Sequence, residues 1–371
     1  MNRKDSGAGW AVRACHHDND LLRDVRALRA RRRTVQGSRC GRARIPVSMI
    51  AVALLAAGCA SGHRRLAAVP EPATAPAIRA RPPGQLLTVG GQPEGIAVDD
   101  ATGTLAVAVR DPAAIVLIGL RSLAVERRIP LGGAARHIAL ASAGGLLLVP
   151  AESVDRLYQL SLAGGRVLAQ TTVGRQPHDA APAAGGRVFV SDEFSDTVSV
   201  VAHGAIVQTL AAPTQPGGLA ATPDGSTVVV VGVRARRIVA YRADGETLAT
   251  LPAGVGPTHV VAGSDGLFYV ADTQGDAVLV FASSGETIHQ VSRIWVGAAP
   301  YGLATDTRHD RMYVTATASN QLLSFRIDGP RLIPDRRWPT PRQPNSVAAD
   351  PDTGRVYVAG AADGVIQVLA P

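Results

Sequence analysis

Three short stretches, "AARHIALA", "QPHDAAPA" and "GPTHVVAG", each set a histidine one or two residues after Ala135, Pro177 or Pro257. His137, His178 and His259 are the side chains best suited to chemistry, because neutral imidazole is a common ligand for zinc, copper or iron. Comparable points of similar stretches carry Glu94, Asp179, Tyr301 and Asn345. Asp192, Glu193 and Asp272 end or follow apolar runs and suit a divalent cation or a general base. Such a set could serve a metal-assisted lyase or hydrolase, in which a cation activates water or polarises a carbonyl. A metal centre would require the three ring nitrogens to lie within about 5 Å of a common point, with metal–nitrogen bonds near about 2 Å. The histidines have no compact ligand spacing, so imidazoles that only bind neighbouring backbone fit the same residues.

The elements that must position these groups repeat. Aligning "QPEGIAVD", "AARHIALA", "QPHDAAPA", "QPGGLAAT", "GPTHVVAG", "APYGLATD" and "QPNSVAAD" places a turn residue at Pro93, Ala135, Pro177, Pro216, Pro257, Pro300 and Pro344. The spacings of 42, 42, 39, 41, 43 and 44 residues match four-stranded propeller blades. Second strands such as "RVFVSD" and "LFYVAD" and third strands such as "TVSVVA" and "AVLVFA" are rich in β-branched residues and bounded by Gly, Pro or Asp. An all-β, seven-bladed propeller over residues 85–371 follows. Its seventh unit holds only three strands, and "QLLTVGGQP" precedes the first, so residues 86–89 should supply the missing outer strand and close the ring. An open solenoid would need capping units, and neither end resembles one. Asp155, Asp196, Asp276 and Asn320 precede third strands, where repetition favours turn caps over ligands, and the same argument bears on Asp192 and Asp272.

"RMYVTATASNQLLSFRID" at 311–328 and "GRVYVAGAADGVIQVL" at 354–369 resemble the YVTN-type seven-bladed β-propellers, close to NHL and lactonase-like propellers. The resemblance implies the fold. It leaves activity open, since binding modules, scaffolds, lyases and hydrolases share that architecture.

Residues 1–58 read as a leader. Its Arg39, Arg42 and Arg44, the apolar run from Val47 to Ala57 and "AAGC" form a secretory signal, with a run too short to span a bilayer. The end resembles a lipobox with Cys59 as the residue to be lipidated; a plain signal peptide or a buried helix is the alternative. A translation start nearer Val35 would suit such a leader better. Residues 59–84, rich in Ala and Pro, read as the lipidated cysteine and an extended tether. The leader holds 12 basic and 4 acidic side chains, which is the whole excess of the +8 chain, so the remainder is formally neutral and no nucleic acid is expected. Cys15 and Cys40 precede the cut, leaving no disulfide. "RARR" at 234–237 reads as a solvated loop, and "DRRWP" at 335–339 as rim packing or a contact point. The sequence contains no phosphate-binding glycine loop, G-x-S-x-G elbow or C-x-x-C-H site.

The residues therefore suggest a monomeric, lipid-anchored extracytoplasmic propeller, in the outer membrane if the host is Gram-negative. It would bind a protein, peptide, glycan or small molecule at its loop face. The competing readings are the metal-dependent lyase or lactonase-like hydrolase on His137, His178 and His259, with a divalent metal as cofactor, and a redox-linked protein holding a cofactor non-covalently. Replacing the lipobox cysteine, Cys59→Ser, is expected to move the protein from the membrane to the soluble fraction on cell fractionation; continued membrane association would exclude the lipid anchor.

Overall fold

The computed structural model describes residues 71–142 and 144–370. The leader, Cys59 and residues 60–70 lie outside the described residues. Seven four-stranded antiparallel sheets are present. Blades 1 to 6 comprise residues 91–130, 139–172, 177–211, 216–252, 257–295 and 300–339. Blade 7 takes residues 344–369 together with Gln85–Thr88. Within each of the first six sheets the strands follow chain order, and the first strands touch one another around the axis.

The Val- and Ala-rich composition explains the packing. Second and third strands are buried on both faces, so they read as continuous apolar runs, and successive residues face opposite neighbours. In blade 1, Ala106 and Ala108 join Leu147 and Val149 of blade 2, whereas Leu105 and Val107 join Tyr357 and Ile366 of blade 7. Seven such clusters occur, one at each interface between neighbouring blades. Small side chains suit this arrangement because each interface is filled from two sides. Trp338 of "DRRWP" is partly buried against the cluster between blades 6 and 7 and is part of edge packing.

The ring closes through its N-terminal strand. Gln85–Thr88 pairs with Val365–Leu369, placing Leu87 opposite Ile366 and Thr88 opposite Val365. The strand lies one residue earlier than the expected 86–89, because Val89 has left the ladder: its N–H donates to the carbonyl of Gly364 at 3.0 Å. Leu87 and Val89 are both buried in the cluster between blades 7 and 1. Leu87→Ala should therefore lose about 2–5 kcal/mol of unfolding free energy, the cost of a large-to-small change in a core. A denaturant titration showing no loss would mean that this strand does not hold the ring shut.

Candidate functional site

Each blade contributes to the axis through the residues that follow its turn. The first position holds Glu94, Arg136, His178, Gly217, Thr258, Tyr301 and Asn345; the second holds Gly95, His137, Asp179, Gly218, His259, Gly302 and Ser346. Neighbouring inner strands approach so closely that a Cβ on Gly218 would lie 2.7 Å from His259 Cα, and one on Gly302 2.6 Å from the Asn345 carbonyl. Glycine at those points leaves space, and the imidazoles of blades 2 and 5 fill the axis.

The three histidines converge. One ring nitrogen of each lies within 4.8 Å of the other two, and His137 Nε2 stands 2.9 Å from His259 Nε2. Their ring centroids are 4.5 to 5.9 Å apart. Tyr301 meets His259 edge-on at 4.3 Å. Beneath them lies a cavity of about 270 Å³, bordered by His137 and His259 and walled by Ile138, Leu219, Val260 and Leu303. Above them is a small polar vestibule bordered by Arg136, His178, Glu193, Gln215 and Tyr301. His259 borders both spaces.

A chain of hydrogen bonds fixes His178. Its Nδ1 lies 3.1 Å from Glu193 Oε2. Gln215 Nε2 donates to Glu193 Oε1 at 2.7 Å, and Arg234 Nε donates to Gln215 Oε1 at 3.2 Å. One arginine of "RARR", exposed Arg234, thus also touches the site network from its loop. Burial raises the Glu193 carboxyl, but the His178 hydrogen bond and charge, Gln215 and Arg136 outweigh it and hold the group at about 2. An ionised carboxylate only accepts, so the proton between the two groups sits on His178 Nδ1. The Nε2 of the same ring is buried and has no hydrogen-bond partner among the described residues.

Charged residues cluster on blades 1 to 3. Glu152 receives Arg110 Nη1 at 2.9 Å and pairs with Arg136 Nε at 2.8 Å; Glu94 lies 3.5 Å from Arg110. Asn345 Nδ2 donates to Glu94 Oε1 at 3.4 Å. Burial raises the Glu94 carboxyl against the pull of Arg136 and Arg110. For Arg136, burial works against the charge, but Glu152, Tyr301, Glu94 and Glu193 raise the guanidinium and keep it ionised. Burial also pushes the Tyr301 hydroxyl up, so it stays protonated.

Of the acidic residues expected at the face, Glu94 and Glu193 reach the mouth, Asp179 borders the cavity beneath the histidines, and Asp192 and Asp272 are engaged elsewhere. Asp179 accepts from the Leu219 amide of the next blade at 3.0 Å, and burial lifts its carboxyl to about 6. Asp192 and Asp272 are fully buried and turned into interblade connections. Asp192 accepts from the Gly174 amide at 3.0 Å and from Ser199 Oγ at 2.7 Å. Asp272 accepts from Val255 and Gly256 amides at 2.9 and 2.7 Å. Both aspartates are the last residues of their strands and are taken up by these donors, whereas Glu193, in the turn that follows Asp192, reaches the axis. Arg110, Arg136 and Glu152 were not anticipated, although Arg136 occupies the repeat position of Glu94 and His178, and Glu152 follows its second strand as Glu193 does.

No family model and no curated protein sequence matches the chain. Solved structures do. Hydrazine synthase of Kuenenia stuttgartiensis superposes with a TM-score of 0.65 at 16% identity, covering 76% of this chain and 96% of that one. Virginiamycin B lyase from Staphylococcus aureus gives 0.64 at 14% identity, over 76% and 98%. The propeller domain of Swd1 from Myceliophteria thermophila gives 0.66 at 13%, over 77% and 100%. The chain is a seven-bladed β-propeller with lyase-type and scaffold-type structural neighbours.

Burial, then the neighbouring imidazoles and Arg136, hold His137 well below the usual histidine value. Burial, then His178 and Arg136, do the same to His259. A histidine kept neutral in the fold contributes stability that is present above its unfolded value, about 6.5, and is lost as pH falls below it. Asp179 and Asp192, each raised to about 6 by burial, act in the opposite sense, so total stability mixes both effects. The stability gap between the parent and His259→Gln isolates the histidine. It should narrow by up to about 1.4 kcal/mol per pH unit below about pH 6.5; a gap independent of pH between 7 and 5 would show that His259 titrates normally.

Proposed function

We propose that His137, His178 and His259 form a divalent transition-metal centre and that the protein is a metal-assisted lyase or hydrolase. The observation that carries this reading is the approach of three ring nitrogens to within 4.8 Å, with His178 Nε2 buried and unpartnered among the described residues. Three imidazoles with an open fourth position form a ligand set used by catalytic zinc. A bound ion would supply Lewis-acid polarisation of a substrate oxygen. The surrounding side chains fit that role. Glu193 fixes the tautomer and orientation of His178, as carboxylates commonly do behind a ligating imidazole. Arg136, held charged between Glu152 and Glu94, offers donors to an anionic or carbonyl oxygen, and the Tyr301 hydroxyl can donate a hydrogen bond beside His259. Among the propellers of this shape, a catalytically inactive histidine-to-alanine variant of virginiamycin B lyase was solved with quinupristin, so a histidine-dependent lyase on this fold has a precedent.

The location belongs to the same proposal: the lipobox-like end and its basic flank support a mature chain that begins at Cys59 and is anchored by lipid at the outer surface of a membrane. Elemental analysis of the purified mature chain should find about one equivalent of zinc or another transition metal. Alanine at any of the three histidines should abolish stoichiometric retention, and Glu193→Gln should weaken affinity about 10- to 100-fold. Calorimetric titration with zinc showing no binding to the parent chain would rule out the centre and favour the scaffold reading.

A further inference from the structure

The segment read as a tether does not leave the ring directly. Residues 71–84 form no helix or strand and lie against blades 6 and 7, held by side-chain amides that contact only their main chain. Gln343 uses both ends of its amide: Oε1 accepts from the Ala75 N–H at 3.0 Å, and Nε2 donates to the Ala73 carbonyl at 2.9 Å. Asn320 Nδ2 donates to the Pro76 carbonyl at 2.8 Å. Gln367 Nε2 donates to the Pro83 carbonyl at 2.8 Å. Ala75 is buried, and at the far end Glu71 lies 3.9 Å from Arg136 and borders the vestibule above the histidines.

A difference between blades points to specialisation. Asp155, Asp196 and Asp276 each accept the backbone amide that leads into the next blade, at 2.8 Å. Asn320 occupies the same place and makes the same contact, Oδ1 accepting from the Gln343 N–H at 3.1 Å. An aspartate would serve this blade junction equally. Only an amide adds a donor, and that donor is spent on the segment. Gln343 also reaches Asn345 Oδ1 at 3.2 Å, and Asn345 reaches Glu94, linking the groove to the charged network at the mouth.

We propose that this groove over blades 6 and 7 is a peptide-binding site. Its ligand class is an extended, proline-containing polypeptide of small residues, and residues 71–84 are its resident, exchangeable occupant. Main-chain donors and acceptors give affinity to any extended chain. Alanine and proline suit the groove because they require no side-chain pockets and, for proline, because the extended form is already favoured. The acidic residue at the end of the segment faces Arg136, so a competing peptide should carry a carboxylate there. Displacing the occupant would uncover the vestibule. The proposal does not depend on a metal, and its test does not use one.

Hydrogen exchange on the mature full chain, followed by mass spectrometry with residue-level fragmentation, tests occupancy. The Ala75 amide should exchange at least tenfold slower than in the free peptide. Asn320→Asp should return it to the free rate while the Gln343 amide stays protected, because aspartate makes that blade junction elsewhere in the ring. A second measurement tests the groove itself with a fluorescein-labelled peptide of sequence EPATAPAIRA. Ala75→Pro removes the donor that Gln343 accepts and should let the labelled peptide bind saturably below about 1 mM, the order of effective concentration of a tethered competitor. Adding Asn320→Asp to that chain should weaken binding at least tenfold. Free exchange of Ala75 in the parent, slow exchange in Asn320→Asp, or peptide binding that is absent or indifferent to Asn320 would each overturn the proposal.

Discussion

At four junctions between blades the chain turns through a backbone geometry that side-chain-bearing residues avoid. Gln176, Gln215, Ala299 and Gln343 all stand at positive φ, from 48° to 62°, immediately before an innermost strand. Left-handed backbone costs a non-glycine residue about 1–2 kcal/mol. At each of these four points a side-chain oxygen from the preceding blade, that of Asp155, Asp196, Asp276 or Asn320, accepts the strained amide. A hydrogen bond to a charged group, as at the three aspartates, contributes about 1.5–3 kcal/mol, and one to a neutral amide, as at Asn320, about 0.5–1.5 kcal/mol, comparable with the strain. The accepting residue itself is also left-handed, with φ between 50° and 55°. Two unfavourable conformations are therefore fixed together, and the direction of the following strand is fixed with them.

That direction determines what reaches the axis. Once the turn is set, the next two side chains point into the channel or across to the neighbouring blade, and the third forms the apolar wall of the cavity. Where blade 4 has Arg236 in place of an acceptor, Asp272 reaches back from blade 5 to hold Val255 and Gly256. The junction before His259 is held from the blade after it, and the junction before His178 from both sides, by Asp155 of blade 2 and Asp192 of blade 3. The site is thus a by-product of ring closure: His137 and His259 belong to blades 2 and 5 and meet only because the ring brings blades 2 and 5 to a common axis.

The architecture was legible because it is periodic. Turn residues at nearly constant spacing, buried strands with no polar face and the unfinished unit at the C-terminus all follow from one repeated pattern, and the closing strand differed by a single residue. The site was only partly legible, because the repeat marks which positions face the axis and not which of them meet. The histidines were visible as types, whereas their convergence depends on the glycines at 95, 218 and 302, which clear the same tier. Asp192 and Glu193 are adjacent in "SDEF", and only the end of the strand at Asp192 separates the buried clamp from the axial carboxylate in the turn. Composition was least informative for residues 71–84. A segment without hydrophobic periodicity is held here by its carbonyls and one amide, which every sequence possesses; the readable signal lay in the receptor, where Asn320 interrupts a series of aspartates.

Charge around the histidines gives the arrangement its sense. Arg110 and Arg136 face Glu94, Glu152 and Glu193, with Glu71 approaching from the docked segment, so two fixed cations stand against three or four carboxylates. His137 and His259 cannot supply the missing positive charge, since burial and their mutual proximity keep both rings neutral. A low-dielectric site with several carboxylates beside the neutral rings of His137 and His259 is electrostatically suited to a cation other than a proton. The same features that suppress protonation of His137 and His259 leave ring lone pairs available on them, and Glu193 anchors His178 beside them through Nδ1.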